Sequence, residues 1–382
     1  MTDVLAAAAG VVFLVVVNLA FAFRSQHIAF NSRFALRAQR SPKIAQQISI
    51  VVPARNEARQ IERCVRSLLA QDYPNFELIV VDDRSDDETA AIVARIVAED
   101  PRVRVISGEP LPPDWVGKPW ALYQGARQAS GDWLLFTDAD TIHEPGALSA
   151  AIGYARAHNL DVLSVLTEQI MITPAEWMLL PSILWTIAFA VGSLKAINDP
   201  ARENALFNGQ YVLATRRAYD GIGRYEAVRD EIAEDLELAR LFKADGRFRT
   251  ALVNGNGLVR VRMYHSFGEL WQGFVKNFWV GARDQGMLAA VGVILLACVA
   301  PITPIALVIA LVTHTEIAGA ALALAMLSAI VGAAPGMRRL GLGSRSSWYL
   351  PIGITVVVAI FLTSIIRRAR GGVIWRGRRY AA

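Results

Sequence analysis

At 382 residues the chain is long enough for one large domain with additional segments. A hydrophobic fraction of 54% is too high for an ordinary soluble protein, and the excess gathers at the two ends. The net charge of +5 does not point to nucleic acid. Five basic residues and no acids lie between Arg24 and Lys43, six arginines and no acids lie between Arg367 and Arg379, and the stretch 44–286 between them is acidic.

In chain order, Val4–Phe23 carries no charge and is long enough to cross a bilayer of roughly 30 Å. It lacks a basic start and a small-residue cleavage site, so residues 1–24 read as an anchor that is kept. Residues 25–286 read as a catalytic domain. Within it, Ile48–Val52, Phe76–Val81, Arg102–Ile106, Trp133–Phe136 and Asp161–Leu166 are short apolar runs, hence strands. The segments between them, around Ile61–Leu69, Glu88–Glu99, Pro119–Ala129 and Pro145–Ala157, carry helical spacing. Strands separated by helical crossovers predict a doubly wound, mostly parallel α/β sheet with ligands at the carboxyl ends of its strands. A helix is expected from Asp230 through Arg240.

Met178–Leu194 is apolar enough to pass for a span. Crossing there would put Asp235 and the pair Asp138 and Asp140 on opposite sides of the membrane. A helix near 178–194 lying along the membrane surface is expected instead, with Trp177 and Trp185 at headgroup level. Three further apolar runs, Met287–Val312, Ile317–Pro335 and Trp348–Ile366, fill residues 287–366, and 367–382 form a basic tail. Its arginines predict a cytoplasmic tail, which requires Met287–Val312, broken by Pro301 and Pro304, to dip in and return. Cys64 and Cys298 fall in a soluble helix and in a membrane run, so they cannot pair, as suits a reducing cytoplasm.

Polar clusters sit at the predicted strand ends. Pro53-Ala54-Arg55-Asn56-Glu57 follows the first, Asp82–Asp87 the second, and Asp138-Ala139-Asp140 the fourth. In extended backbone, residues i and i+2 share a side, so Asp138 and Asp140 could reach one hard divalent cation together. No glycine-rich phosphate loop occurs at a strand–helix junction. Any nucleotide must therefore be held by carboxylates and metal.

The motifs at 50–57, 80–87 and 137–140, followed by Glu234-Asp235, resemble the family 2 glycosyltransferases of the GT-A fold across residues 48–280. Within that family the chain is most similar to the membrane-anchored branch of ceramide glucosyltransferases and of hopanoid- and carotenoid-associated glycosyltransferases. Pro112–Ala121 and Asn198-Asp199-Pro200 are most like the hopanoid-associated group.

The resemblance implies an inverting, metal-dependent transfer of one sugar from a nucleotide-sugar, a UDP-sugar, to a membrane lipid hydroxyl. The setting would be a bacterial-type inner membrane, with the catalytic domain in the cytoplasm. Pro53, Glu57 and Asp83 would line the nucleoside pocket, Lys118 would neutralise the diphosphate, and Asp138 and Asp140 would hold Mn²⁺ or Mg²⁺. Asp235 would be the general base, with Gly209, Gln210, Glu234, Lys276 and Trp279 on the acceptor side. For Asp86 and Asp87, helix capping explains the residues better than ligand contact. The Gln-x-x-Arg-Trp motif of processive members is matched only by Gln272 and Lys276-Asn277-Phe278-Trp279, without the arginine. That disfavours the first alternative, a processive polysaccharide synthase. The second alternative, a catalytically inactive nucleotide-binding membrane protein, is disfavoured by the presence of Asp138, Asp140 and Asp235 together.

Overall fold

The computed structural model describes residues 2–27, 34–37, 46–284, 302–369, 373–375 and 378–380. The chain divides into two units, one formed by Asn31–Ile170 and Leu194–Met263, the other by Met1–Phe30, Met171–Ser193 and Tyr264–Ala382.

The first unit is built on a seven-stranded sheet. Its strands are β1 (Ile48–Ala54), β2 (Phe76–Asp82), β3 (Val103–Ser107), β4 (Trp133–Thr137), β6 (Val162–Leu166), β8 (Tyr211–Thr215) and β9 (Thr250–Asn254). The order is β3-β2-β1-β4-β8-β6-β9. A small second sheet joins β5 (Thr141–His143), β10 (Val259–Val261) and β7 (Glu168–Gln169).

The central strands are buried on both faces, which is why they read as unbroken apolar runs. Successive side chains alternate between faces. Ile50, Val52, Leu78, Val80 and Leu135 join one core, and Val51, Ile79, Val81, Leu134 and Phe136 join the other. The first core is covered by helices Ile61–Leu69, Thr89–Glu99 and Ala147–Ala157, the second by Gly117–Gln128 and Glu234–Asp245. Each fully buried aliphatic side chain contributes about 1.5–3 kcal/mol.

Strand β8 is the exception to parallel order, running antiparallel to both β4 and β6. Its register pairs Tyr211 with Thr137. The residues leading into β8 therefore arrive at the edge where β4 ends. Local periodicity shows a strand here but carries no direction, because direction depends on partners far away in the chain.

The second unit is mainly helical, with one two-stranded antiparallel pairing of Val373–Trp375 and Arg378–Tyr380. Three helices are long and apolar enough to cross a membrane, Val4–Phe23, Glu316–Arg339 and Ser344–Arg367, and Ile302–Val312 is a shorter apolar helix. Of the expected span Met287–Val312, residues 287–301 lie outside the described residues, as do most of the basic stretch after Arg24 and much of the tail. Helix Pro174–Val191 starts with a Thr173–Glu176 capping box and belongs to this unit. Residues 171–193 and those from Tyr264 onward thus pack with this helical unit.

Trp185 is buried to 1% exposure against Ala333, Met337, Leu342 and Leu350, with Phe21 edge-on at 6.3 Å. Gly336 makes this possible, because a side chain there would collide with the indole. Trp177, at 37% exposure, keeps an open face. Lys276 and Trp279 lie on helix Phe267–Asp284 of this unit, and the Trp279 side chain is outside the described residues.

Candidate active site

Strand β4 delivers Thr137 to the sheet edge, and the chain then turns through Asp138-Ala139-Asp140 into β5. The Asp138 carbonyl accepts the Thr141 hydroxyl at 2.7 Å and the Thr141 amide at 3.3 Å. The two carboxylates are therefore carried by a turn. Extended backbone, the expected reason for their sharing a side, does not occur here.

Beside this turn stand the starts of two helices. Helix Gly117–Gln128 places Lys118 in its first turn. The second helix begins at Glu234, after the expected start at Asp230, so Glu234, Asp235 and Glu237 form its acidic first turn. Acidic groups suit the positive end of a helix dipole. Lys118 Nζ lies 2.8 Å from Asp138 Oδ1 and 2.8 Å from Glu234 Oε1. Asp235 Oδ2 accepts the Gly209 amide at 2.8 Å, and its Oδ1 accepts the Leu236 amide at 2.9 Å.

The electrostatics follow from this packing. Burial pulls the Lys118 ammonium down, but Asp138, Glu234 and Asp235 outweigh it and hold the charge well above the ordinary lysine range. Burial and the neighbouring Glu234 push the Asp235 carboxyl up to about 6, against the opposing pull of Lys118 and two amide donors. A carboxylate in that range is poised to accept a proton near neutral pH.

Gly209 lies hard against two charged groups of the site. A β-carbon there would stand 3.0 Å from Lys118 Nζ and 3.1 Å from Asp235 Oδ2. The space is already taken by the site's own charged groups. Gln210, expected on the acceptor side, is buried and accepts hydrogen bonds from the Thr167 hydroxyl and, at 3.4 Å, from Asn208 Nδ2.

The ends of β1 and β2 bring Pro53, Glu57 and Asp83 together. Arg55 Nη1 donates to the Asp83 carbonyl at 2.6 Å, and the Glu57 amide donates to Thr89 Oγ1 at 2.8 Å. Asp87 accepts the Ala58 and Thr89 amides at 3.1 and 3.0 Å, a linking and capping role, while Asp86 is exposed. Sequence reasoning passed over Asp82. Its Oδ1 is buried and has no hydrogen-bond partner among the described residues, which makes it a candidate acceptor for a ligand N–H. It also passed over Gly108, whose amide donates to the Asp82 carbonyl at 2.8 Å and where a β-carbon would stand 3.0 Å from that oxygen. The available signal for Asp82 was its place beside Asp83 at a strand's end.

No group of three or more His, Cys, Asp or Glu among the described residues could hold a metal ion by itself. The donor chemistry nevertheless fits Mn²⁺ or Mg²⁺, since Asp138 and Asp140 offer hard oxygens. Asp138 already pairs with a cation, the Lys118 ammonium. Further oxygen ligands would come from water or from a bound ligand.

Residues 49–220 match the family model described as Glycosyl transferase family 2. They are a family 2 glycosyltransferase domain. Among curated proteins, the domain's chain is 28% identical over 267 residues to 4,4'-diaponeurosporenoate glycosyltransferase of Staphylococcus haemolyticus, covering 68% of this chain and 69% of that one. The protein of the same name from Staphylococcus aureus (strain MRSA252) is 28% identical over 259 residues, covering 67% of each. Among solved structures, a mannosyltransferase from Pyrobaculum calidifontis, in complex with GDP-Man and Mn²⁺, superposes with a TM-score of 0.52 at 18% identity. The match covers 95% of this chain and 96% of that one. The glycosyltransferase domain has the GT-A fold, with its mostly parallel seven-stranded sheet.

Proposed function

We propose that this glycosyltransferase is an inverting enzyme that moves a single sugar from a UDP-sugar to a lipid hydroxyl at a membrane. The observation that carries the reading is Lys118, one ammonium 2.8 Å from both Asp138 and Glu234. It joins the donor-side turn to the helix start that bears Asp235.

In this reading Pro53, Glu57 and Asp83 bind the nucleoside, and Lys118, held charged, meets the diphosphate. The acceptor oxygen attacks the anomeric carbon while Asp235 takes its proton. The bond from that carbon to the diphosphate breaks, and the nucleoside diphosphate leaves with the electron pair. Held by Asp138 and Asp140, Mn²⁺ or Mg²⁺ would add neutralising charge to the leaving diphosphate. A hydroxyl must lose its proton and a carboxylate need not, so a partly buried base favours an alcohol acceptor.

A lipid acceptor is supported by three helices apolar enough to cross a membrane and by relatives named for diaponeurosporenoate. In this reading the membrane is a bacterial-type inner membrane and the domain is cytoplasmic. Glu234 and Gln210 act on the acceptor side by positioning, and Lys276 and Trp279 are further acceptor-side candidates. The missing arginine beside Trp279 favours single transfer over polymer synthesis.

The test supplies membranes containing the full-length protein with radiolabelled UDP- and GDP-sugars, Mn²⁺ and lipid alcohols. One labelled sugar per lipid from a UDP-sugar is expected. Label that reaches no lipid, or that builds long chains, would sink the proposal.

A further inference from the structure

Behind the Asp138–Asp140 turn lies a polar cluster that solvent barely reaches. Thr137, Thr141, His143 and Cys64 are all buried. Thr141 Oγ1 donates to the Asp138 carbonyl at 2.7 Å, and Thr137 Oγ1 donates to the Gln210 carbonyl at 2.7 Å. The two hydroxyl oxygens are 3.1 Å apart, and His143 Nε2 sits 3.2 Å from the first and 2.9 Å from the second.

Each threonine hydroxyl has one proton, and both protons are already committed to carbonyls. Of the three mutually adjacent atoms, only the ring nitrogen has a proton left to share. His143 therefore carries its hydrogen on Nε2 and gives it to the threonine oxygens. Burial pushes the ring's pKa down to about 3, so it is neutral and holds a single N–H. The neighbouring Tyr211 ring, with centroids 5.7 Å apart, and the His143 amide bond to Ser67 Oγ at 3.1 Å fix the ring's place.

The cluster touches both halves of the site. One threonine holds the carbonyl of Asp138, the donor-side carboxylate. The other holds the carbonyl of Gln210, whose neighbour Gly209 donates to Asp235. Without the imidazole N–H, the hydroxyls would face each other at 3.1 Å and one would turn its proton to the other. Either the Asp138 carbonyl or the Gln210 carbonyl would then lose its donor.

We propose that His143 is a positioning residue. Its Nε2–H points the Thr137 and Thr141 hydroxyls at the Gln210 and Asp138 carbonyls, and so sets the spacing between the donor-side turn and the base Asp235. This inference rests on the glycosyl-transfer reading above.

The experiment compares His143→Leu, which removes the donor at similar volume, with His143→Gln, which restores an N–H donor. Both are made in the full-length protein and again with Asp235→Asn. His143→Leu should lower kcat about 10²-fold, the effect of misplacing a reacting group by about 1 Å, with donor KM close to wild type. His143→Gln should regain most of it. With Asp235→Asn already present, His143→Leu should cost little more, because spacing to an absent base no longer matters. A wild-type kcat in His143→Leu would overturn the inference. So would a loss that glutamine fails to restore, or one that multiplies fully with Asp235→Asn, which marks a purely structural role. A wild-type protein that transfers no sugar would overturn the underlying reading and this inference with it.

Discussion

The amide of Gly209 donates to Asp235 Oδ2 across 2.8 Å, and a β-carbon at 209 would stand only 3.1 Å from that same oxygen. The contact aims one carboxylate oxygen and ties Asp235 to the backbone of the β8 approach. Gly209→Ala should therefore displace Asp235 or Lys118 by a few tenths of an ångström or more. We expect transfer to fall at least about 10-fold with thermal stability little changed, since a small misplacement near the reacting atoms is costly. Activity and melting temperature measured on the same preparation check this, and an unimpaired alanine variant would refute it.

Asp235→Asn removes the proposed base and preserves shape. Donor binding should persist while transfer drops about 10²–10⁴-fold, the usual contribution of a general base. Calorimetry with UDP alongside turnover separates the outcomes. Weakened binding with little loss of turnover would make Asp235 a structural group.

The pH profile follows from the same residue. Asp235 must be ionised to take a proton, and its burial beside Glu234 raises its pKa to about 6. The rate should be fully developed above that value and fall about tenfold per pH unit below it. An acid limb near 6 in kcat/KM that vanishes in Asp235→Asn is the expected result. For stability the sign runs the same way as for any raised carboxyl. The folded state prefers the protonated form, so ionisation between the ordinary value of 3.8 and about 6 destabilises the fold as pH rises. A rate that stays flat down to pH 5 would count against the assignment.

Asp140→Asn takes one charge from the pair assigned to the metal. Metal-dependent nucleotide binding and turnover should both disappear, because a hard cation with few protein ligands depends on each carboxylate. Titration of UDP with and without Mn²⁺ reads the effect. Equal affinity in the variant and wild type would remove Asp140 from the metal assignment.

The tail carries the topology prediction. Six arginines between Arg367 and Arg379 are expected on the cytoplasmic side. With Cys64→Ser and Cys298→Ser in place, a single Gly377→Cys should resist a membrane-impermeant thiol reagent in intact cells and react after lysis. Labelling before lysis would place the tail outside.

The strands and helices of the first half were legible because each declares itself locally. Ile48–Val52 and Phe76–Val81 are apolar runs bounded by turn residues, and the strands Ile48–Ala54 and Phe76–Asp82 lie where those runs predict them. Motif order then sufficed to name Lys118, Asp138, Glu234 and Asp235, which the folded chain brings into one cluster. What remained hidden depends on partners distant in the chain. The reversed direction of β8 is settled by pairing with β4 and β6. The helix that carries Asp235 starts at Glu234, four residues beyond Asp230, which is likewise visible only in the folded chain. The reason for Gly209 comes from Lys118 and Asp235, and the duty of His143 comes from two hydroxyls whose protons are spent on Asp138 and Gln210. A local pattern records which face of a strand is buried. It cannot record which carboxylate or carbonyl, 26 or 73 residues away, will claim a hydrogen bond, because that is decided only when the sheet closes.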